Sequence, residues 1–299
     1  MLNPLELAAN IAVKMPGWKY WAWPIAKNFI AGRTLKEGLE KARELSRDGY
    51  PVILNYAGEH AHNRKAVVQT CSAYSELLDE LRRAQLHGEN LTASVSLKLS
   101  QFGILEADLN SSINDEFYEV LEKAEGQNIR VWIDAEEPEY ASKYFDFLDT
   151  LWDAGFRNIG RVVQANIRSE NWEKFCFRLA KRPIPTRICK GAYRKENPLT
   201  LSFERELPEI LWQFRRMIRV LVNHKIEVEI ATHETDIQNF FAGSPYTHPA
   251  ILYGVNTELA RALKGMGHPP HIYLIYGPEW AGYVKRRLLE NPKYLLLSL

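Results

Sequence analysis

Short apolar runs rich in β-branched residues recur along the chain, separated by longer stretches whose apolar residues fall at helical spacing. Eight runs stand out: Pro51–Asn55, Ala93–Leu99, Arg130–Asp134, Arg161–Gln164, Thr186–Lys190, Glu227–Thr232, Ala250–Tyr253 and Ile272–Tyr276. The stretches Arg64–His87, Ile113–Gly126 and Tyr140–Ala154 read as intervening helices. Alternation of this kind predicts an α/β protein with a parallel sheet, and eight units predict a (β/α)8 TIM-like barrel. A doubly wound open sheet shows the same alternation. The loops favour the barrel, because polar or ionisable residues stand at or just beyond the strand ends: Glu59, Lys98, Asp134, Gln164, Lys190, His233 and Tyr276. In a barrel, side chains from different strand ends converge on that face.

Residues 1–45 precede the first run and read as an N-terminal helical arm, with residues 46–299 forming the barrel domain. The arm carries Trp18, Tyr20, Trp21 and Trp23, followed by an amphipathic Thr34–Arg47. It reads either as a layer packed on the barrel or as an aromatic patch touching lipid, since indole rings favour that boundary. The apolar Tyr294–Leu299 is too short to span a bilayer and reads as a cover for the barrel or a partner subunit.

Composition narrows the class. The 299 residues are 46% hydrophobic and 25% charged, the make-up of a globular chain. With 38 Lys+Arg against 37 Asp+Glu, the net charge of +1 supplies no long-range field for nucleic acid. Cys71, Cys176 and Cys189 lie far apart without CxxC spacing, which points to packing thiols in a reducing compartment. Without a secretory leader pattern or an apolar run of about 18 residues, the chain reads as cytoplasmic and at most peripheral on the inner face of a membrane.

Two segments carry candidate chemistry. On a helix, Arg286 and Glu290 of Tyr283–Glu290 share a face, and a guanidinium beside a carboxylate suits the two ends of an amino acid. An ordinary solvated helix face gives the same charge pattern. In Thr186–Tyr193, Arg187 and Lys190 precede Gly191 and Ala192; two cations at a barrel mouth need an anionic partner, and the small residues admit a ligand to the backbone. That cluster fits phosphate, an anionic cofactor or a Schiff-base lysine. Asp134, His233 and Lys98 stand where they can meet a ligand, whereas Glu136 and Glu137 are expected in solvent. His60-Ala61-His62 is a weak metal signal, because no aspartate of the last strand completes a ligand set, and no metal is expected. Rossmann, Walker and nucleophile-elbow motifs are absent from the sequence.

Taken in order, Val95–Gly103, Asp134–Glu137, Val162–Ala165, Arg187–Tyr193, Ala231–His233, Leu252–Gly254 and Tyr283–Asn291 resemble the proline dehydrogenase family in its monofunctional bacterial form. The resemblance covers about residues 50 to 292 and implies a distorted barrel holding FAD. It implies that Arg286, Arg287 and Lys98 bind the proline carboxylate, that Glu290 faces the amine and that Tyr273 packs on the substrate ring. Asp134 matches an active-site aspartate that orients the basic side chains, and Arg187 an arginine near flavin N5. Gln164, Lys190, Gly191, Ala192, Thr232 and His233 match flavin contacts, with Ala135 adding its backbone and Glu59 gating the pocket.

The implied reaction is hydride transfer from proline C5 to FAD, giving Δ1-pyrroline-5-carboxylate, with electrons passed to a membrane quinone. Tyr246–Ile251 and the Ile275 before Tyr276 depart from the family pattern and leave room for a substituted proline or another cyclic amino acid. Two readings from other classes stay open: a Schiff-base aldolase using Lys190 or Lys98, and a flavin-binding barrel without turnover.

Overall fold

The structure, a computed structural model, describes residues 14–58, 60–61, 63–104, 113–169, 172–191 and 197–290, without the side chains of residues 20, 21, 113, 114 and 290. Glu59, His62, Ala192 and Tyr294–Leu299 therefore lie outside the described residues, as does the side chain of Glu290.

Eight parallel strands close into a barrel in sequence order: β1 (Val52–Tyr56), β2 (Ala93–Lys98), β3 (Val131–Asp134), β4 (Ile159–Gln164), β5 (Thr186–Cys189), β6 (Val228–Ala231), β7 (Thr247–Leu252) and β8 (His271–Tyr276). Closure is made by β1, which pairs with β2 on one side and with β8 on the other. Two short helices, α1 (Trp18–Trp21) and α2 (Trp23–Ala26), precede α3 (Leu35–Arg47). The helices after the successive strands are α4 (Arg64–Leu86), α5 (Ile113–Gly126), α6 (Ala141–Asp153), α7 (Trp172–Lys181), α8 (Leu207–Asn223), α9 (Thr235–Phe241), α10 (Thr257–Gly265) and α11 (Trp280–Glu290). The expected (β/α)8 architecture with a helical N-terminal region is what the chain forms.

Helix boundaries follow local chemistry. Thr34 caps α3 by accepting from the Glu37 amide at 3.2 Å, and the Glu37 carboxylate returns the bond to the Thr34 amide at 3.2 Å. Asn63 starts α4 and Asn256 starts α10 in the same way. Along α8, Ile210, Phe214, Met217, Ile218 and Leu221 form one apolar stripe, fully buried against the sheet. Burial of each such side chain contributes roughly 1.5–3 kcal/mol.

The barrel is distorted between β3 and β4. Tyr144 of α6 inserts its hydroxyl into the ladder, donating to the Ile133 carbonyl at 2.7 Å and accepting from the Val162 amide at 2.7 Å. A phenol thus takes the place of a direct strand-to-strand bond beside Asp134.

The described part of the arm is bound to the last βα unit. Ala22, Ile25, Ala26, Phe29 and Ile30 share a buried cluster with Trp280, Val284 and Leu288 of α11. Trp18 and Trp23 meet the Trp280 ring edge-on, at 6.1 and 5.6 Å. The arm backbone then joins β8, with the Ala31 amide donating to the Ile275 carbonyl at 2.7 Å. Among the described residues no helix is long and apolar enough to cross a membrane.

Two expectations need correction. Tyr276 is not at the mouth; its ring lies outside the sheet, against Gly38 of α3 and edge-on to Tyr56. Glu136 is not solvated but 7% exposed, because the turn after β2 offers it the Ser100 amide at 2.9 Å and the Ser100 hydroxyl.

Candidate active site

Contacts between strands that are not neighbours identify the side chains filling the barrel. Asp134 on β3 meets Arg187 on β5 and Tyr273 on β8, and Glu229 on β6 meets His271 on β8. At the bottom, the Trp132 ring packs against Gly160, where a Cβ would lie 2.5 Å from the indole. The Arg187 guanidinium sits over that ring at 4.6 Å and beside the Tyr273 ring at 5.4 Å.

Arg187 is 4% exposed and held on two edges. Its Nε donates to Glu229 Oε2 at 2.6 Å, and its Nη1 reaches Asp134 Oδ1 and Ser96 Oγ, both at 3.2 Å. Nη2 is buried without a hydrogen-bond partner among the described residues. Burial opposes charge here, but Glu229 and Asp134 outweigh it and raise the guanidinium further above its ordinary value. For Glu229, burial pushes upward while Arg187 and His271 pull harder, holding the carboxyl at about 2.

Both Asp134 oxygens are engaged. Ser96 donates to Oδ1 at 2.7 Å and Tyr273 donates to Oδ2 at 2.6 Å. Burial and the neighbouring carboxylate raise the Tyr273 phenol well above its usual value, so it stays a donor.

A second group lies where β5 and β6 end. Lys190 pairs with Glu234 at 2.7 Å, and the Thr232 hydroxyl accepts from the Glu234 amide at 3.2 Å. His233 is pushed down to about 4 by burial, with the charges of Lys190 and Arg287 adding to the effect. Its ring is therefore neutral at pH 7, and its buried Nδ1 has no partner among the described residues. Arg287 lies over the Tyr283 ring at 5.3 Å, and Arg286 is half-buried on the same helix.

A third group joins β4 to β5. Gln164 donates to the Glu136 carbonyl at 2.7 Å. Gly191 (φ 120°) lies so close to the Asn166 amide that a Cβ would fall 2.1 Å from its oxygen. Asn166 is 1% exposed, and neither amide atom has a partner among the described residues. Orphaned donors and acceptors at Arg187, His233 and Asn166 fit a polar group bound across the mouth. His60 Nε2 also stands 3.3 Å from Glu137 Oε1, with Glu136 beside them.

Asp134, Arg187 and Tyr273 thus form one hydrogen-bonded centre, and Lys190 and Thr232, both bonded to Glu234, lie with His233 in a second group. Lys98 closes β2 in register with Asp134, and Ala135 packs behind Asp134 against the core. Ser96, Trp132, Asn166, Glu229, Glu234 and His271 belong to the site without having been singled out. Ser96 had a signal, since Ser94, Ser96 and Lys98 alternate onto one face. Glu229 had one too, as the sole charge in β6.

Comparison with known proteins agrees with this arrangement. The proline dehydrogenase family model matches residues 38–294. "Proline dehydrogenase 1" of Bacillus subtilis is 25% identical over 276 residues, covering 89% of this chain and 87% of its own. "Proline dehydrogenase" of Deinococcus radiodurans is 23% identical over 281 residues, covering 91% and 87%. Among solved structures, proline utilization A from Bdellovibrio bacteriovorus, inactivated by N-propargylglycine, aligns over 98% of this chain with a TM-score of 0.78 and 19% identity. A proline utilization A of Bradyrhizobium japonicum aligns over 92% with a TM-score of 0.68 and 18% identity. The chain spans only 35% and 31% of those two proteins, so they speak to the barrel alone. With the family model matched across every strand, and an arginine, an aspartate and a tyrosine meeting inside the barrel, this chain belongs to the proline dehydrogenase family, an oxidoreductase family.

Proposed function

We propose that the protein oxidises L-proline to Δ1-pyrroline-5-carboxylate with FAD as its cofactor and passes the electrons to a quinone. The observation that carries this reading is Arg187, clamped by two carboxylates with one buried N–H arm unengaged, facing Tyr273 across the barrel. When bound, FAD supplies the hydride acceptor that no amino-acid side chain provides.

The side chains divide the remaining work. Arg286, Arg287 and Lys98 take the substrate carboxylate as fixed cations, and Glu290 takes the amine. The Tyr273 ring packs on the pyrrolidine ring, while Asp134 holds the Tyr273 hydroxyl and Arg187 in place. Arg187 offers positive charge where the reduced cofactor becomes anionic. Gln164, Lys190, Gly191, Ala192, Thr232 and His233 hold the cofactor, Ala135 adds its backbone, and Glu59 gates the entrance. The neutral His233 suits such a role, because it can accept a hydrogen bond without adding charge. Ring oxidation removes a hydride from C5 and needs the lone pair of a neutral amine, so the rate rises with pH as substrate amine loses its proton.

We assign residues 46–299 to the catalytic barrel and residues 1–45 to an arm that meets the inner face of the membrane peripherally, where a quinone is available. An aldolase acting through Lys190 is disfavoured, since Lys190 is ion-paired with Glu234, which holds the amine in its protonated, non-nucleophilic form.

The test is the visible spectrum of the purified protein, followed by L-proline without oxygen. A flavin band that bleaches supports the reading. A flavin band that proline leaves unchanged removes proline as substrate and directs the search to substituted prolines and other cyclic amino acids. No band after FAD is added overturns the cofactor.

A further inference from the structure

We infer that Glu229 is a positioning residue: its carboxylate inside the barrel aims Arg187 so that the buried Nη2 is left without a hydrogen-bond partner among the described residues and stays available to a bound group. This rests on the reading of Arg187 given above.

Arg187 and Glu229 are register partners on adjacent strands, and Glu229 is 0% exposed. Stability does not call for it. A buried ion pair adds little to folding compared with apolar side chains of the same size, and the next interior position of β6 is filled by Ala231. Its effect is geometric. A guanidinium beside one carboxylate turns to form the two-pronged pair that uses two N–H groups at once. A guanidinium released from Glu229 can turn both Nη groups toward Asp134, sharing its oxygens with Ser96 and Tyr273, and that would consume Nη2. Glu229 prevents the turn by holding Nε at 2.6 Å, leaving Asp134 only Nη1 at 3.2 Å. The Trp132 ring on one side and the Tyr273 ring on another fix the guanidinium plane.

Glu229 is itself held. His271 Nδ1 donates to its second oxygen at 2.5 Å, and the His271 ring stacks on His248 at 5.5 Å. Beyond His248, Glu227 pairs with Arg130 at 3.1 Å at the lower rim.

The test uses the FAD-loaded protein and Glu229→Gln, which keeps the shape and an acceptor but removes the charge. Three quantities are read: the midpoint potential of the bound flavin, its rate of reduction by proline, and the proline Kd. Loss of aim withdraws positive charge from the reduced flavin, so the potential falls; loss of the Glu229 charge alone would raise it. The expected result is a lower potential and a reduction rate about tenfold slower, with Kd within about twofold of wild type. In the Arg187→Lys background Glu229→Gln no longer lowers the potential or slows reduction, and only the small rise from loss of the Glu229 charge remains, because the carboxylate acts through the guanidinium. An unchanged or raised potential, or an equal shift in that background, overturns the inference.

If Glu229→Gln does not fold, Glu229→Asp keeps the charge but shortens the reach, and must move potential and rate in the same directions; wild-type values overturn the inference. If proline fails to bleach the wild-type flavin, the proposed substrate falls while the potentials still decide the role of Glu229.

Discussion

Tyr273 on β8 donates its hydroxyl to Asp134 Oδ2 on β3 at 2.6 Å, across the barrel interior, while Ser96 and Arg187 occupy Oδ1. Asp134 therefore ties Tyr273, Ser96 and Arg187 to one another. Tyr273→Phe keeps the ring but releases Oδ2. Steady-state kinetics with proline should show kcat down by about tenfold and KM changed by less than about threefold, whereas Tyr273→Ala raises KM. A Tyr273→Phe variant with wild-type kcat would remove the hydroxyl from the catalytic arrangement.

Arg286 tests the carboxylate clamp. Arg286→Met retains most of the apolar stem on α11 and loses the fork of donors. The KM for proline should rise by about a hundredfold, the loss of a charge-assisted pair, while bound FAD per chain stays constant. An unchanged KM defeats the assignment.

Acid stability carries the signature of His233. Its folded value of about 4 lies below the ordinary 6.5. Between those values the unfolded chain takes up a proton that the folded chain refuses, so stability falls as pH drops through the window, by up to about 1.4 kcal/mol per pH unit. Above the window both states are neutral and the contribution is flat. Urea midpoints at pH 7.5 and pH 5 (about one unit above and inside the window) should fall further for wild type than for His233→Asn. Parallel losses would mean that the imidazole is not buried as the geometry has it.

Tyr144 is the wedge between β3 and β4. Tyr144→Phe leaves the Ile133 carbonyl and the Val162 amide without their bridging hydroxyl, a loss of about 1–3 kcal/mol that thermal unfolding reads as a drop of several degrees. An unchanged melting temperature would show that the strands close directly once the phenol is gone.

The eight runs were readable because parallel barrel strands are near-continuous apolar segments followed by helical periodicity. The seventh run starts at Ala250 in the sequence pattern, while β7 begins at Thr247: Pro249 reads as a break, yet it sits in register with Ile230 inside the sheet. The residues at the mouth were also legible, since strand ends are marked in the sequence and Asp134, Gln164 and Lys190 stand on them. The layer beneath was not. Trp132 meets Arg187, and Glu229 meets His271, through contacts between strands that are not neighbours, and those depend on the stagger of the closed sheet, which no local pattern carries. Glu136 was misplaced for a similar reason: its Ser100 partner comes from the turn after a different strand.

Because β1 completes its second edge only against β8, and the arm joins the same last strand through Ala31 and Ile275, the beginning of the chain waits for its end. During synthesis the first seven strands emerge as an open sheet with two unpaired edges, a state prone to association with other chains. Folding therefore concludes in one late step that zips β8 between β7 and β1 and docks α11 on the arm. A nascent chain stalled before residue 271 should be open to proteolysis at both sheet edges, and release of β8 and α11 should seal them together.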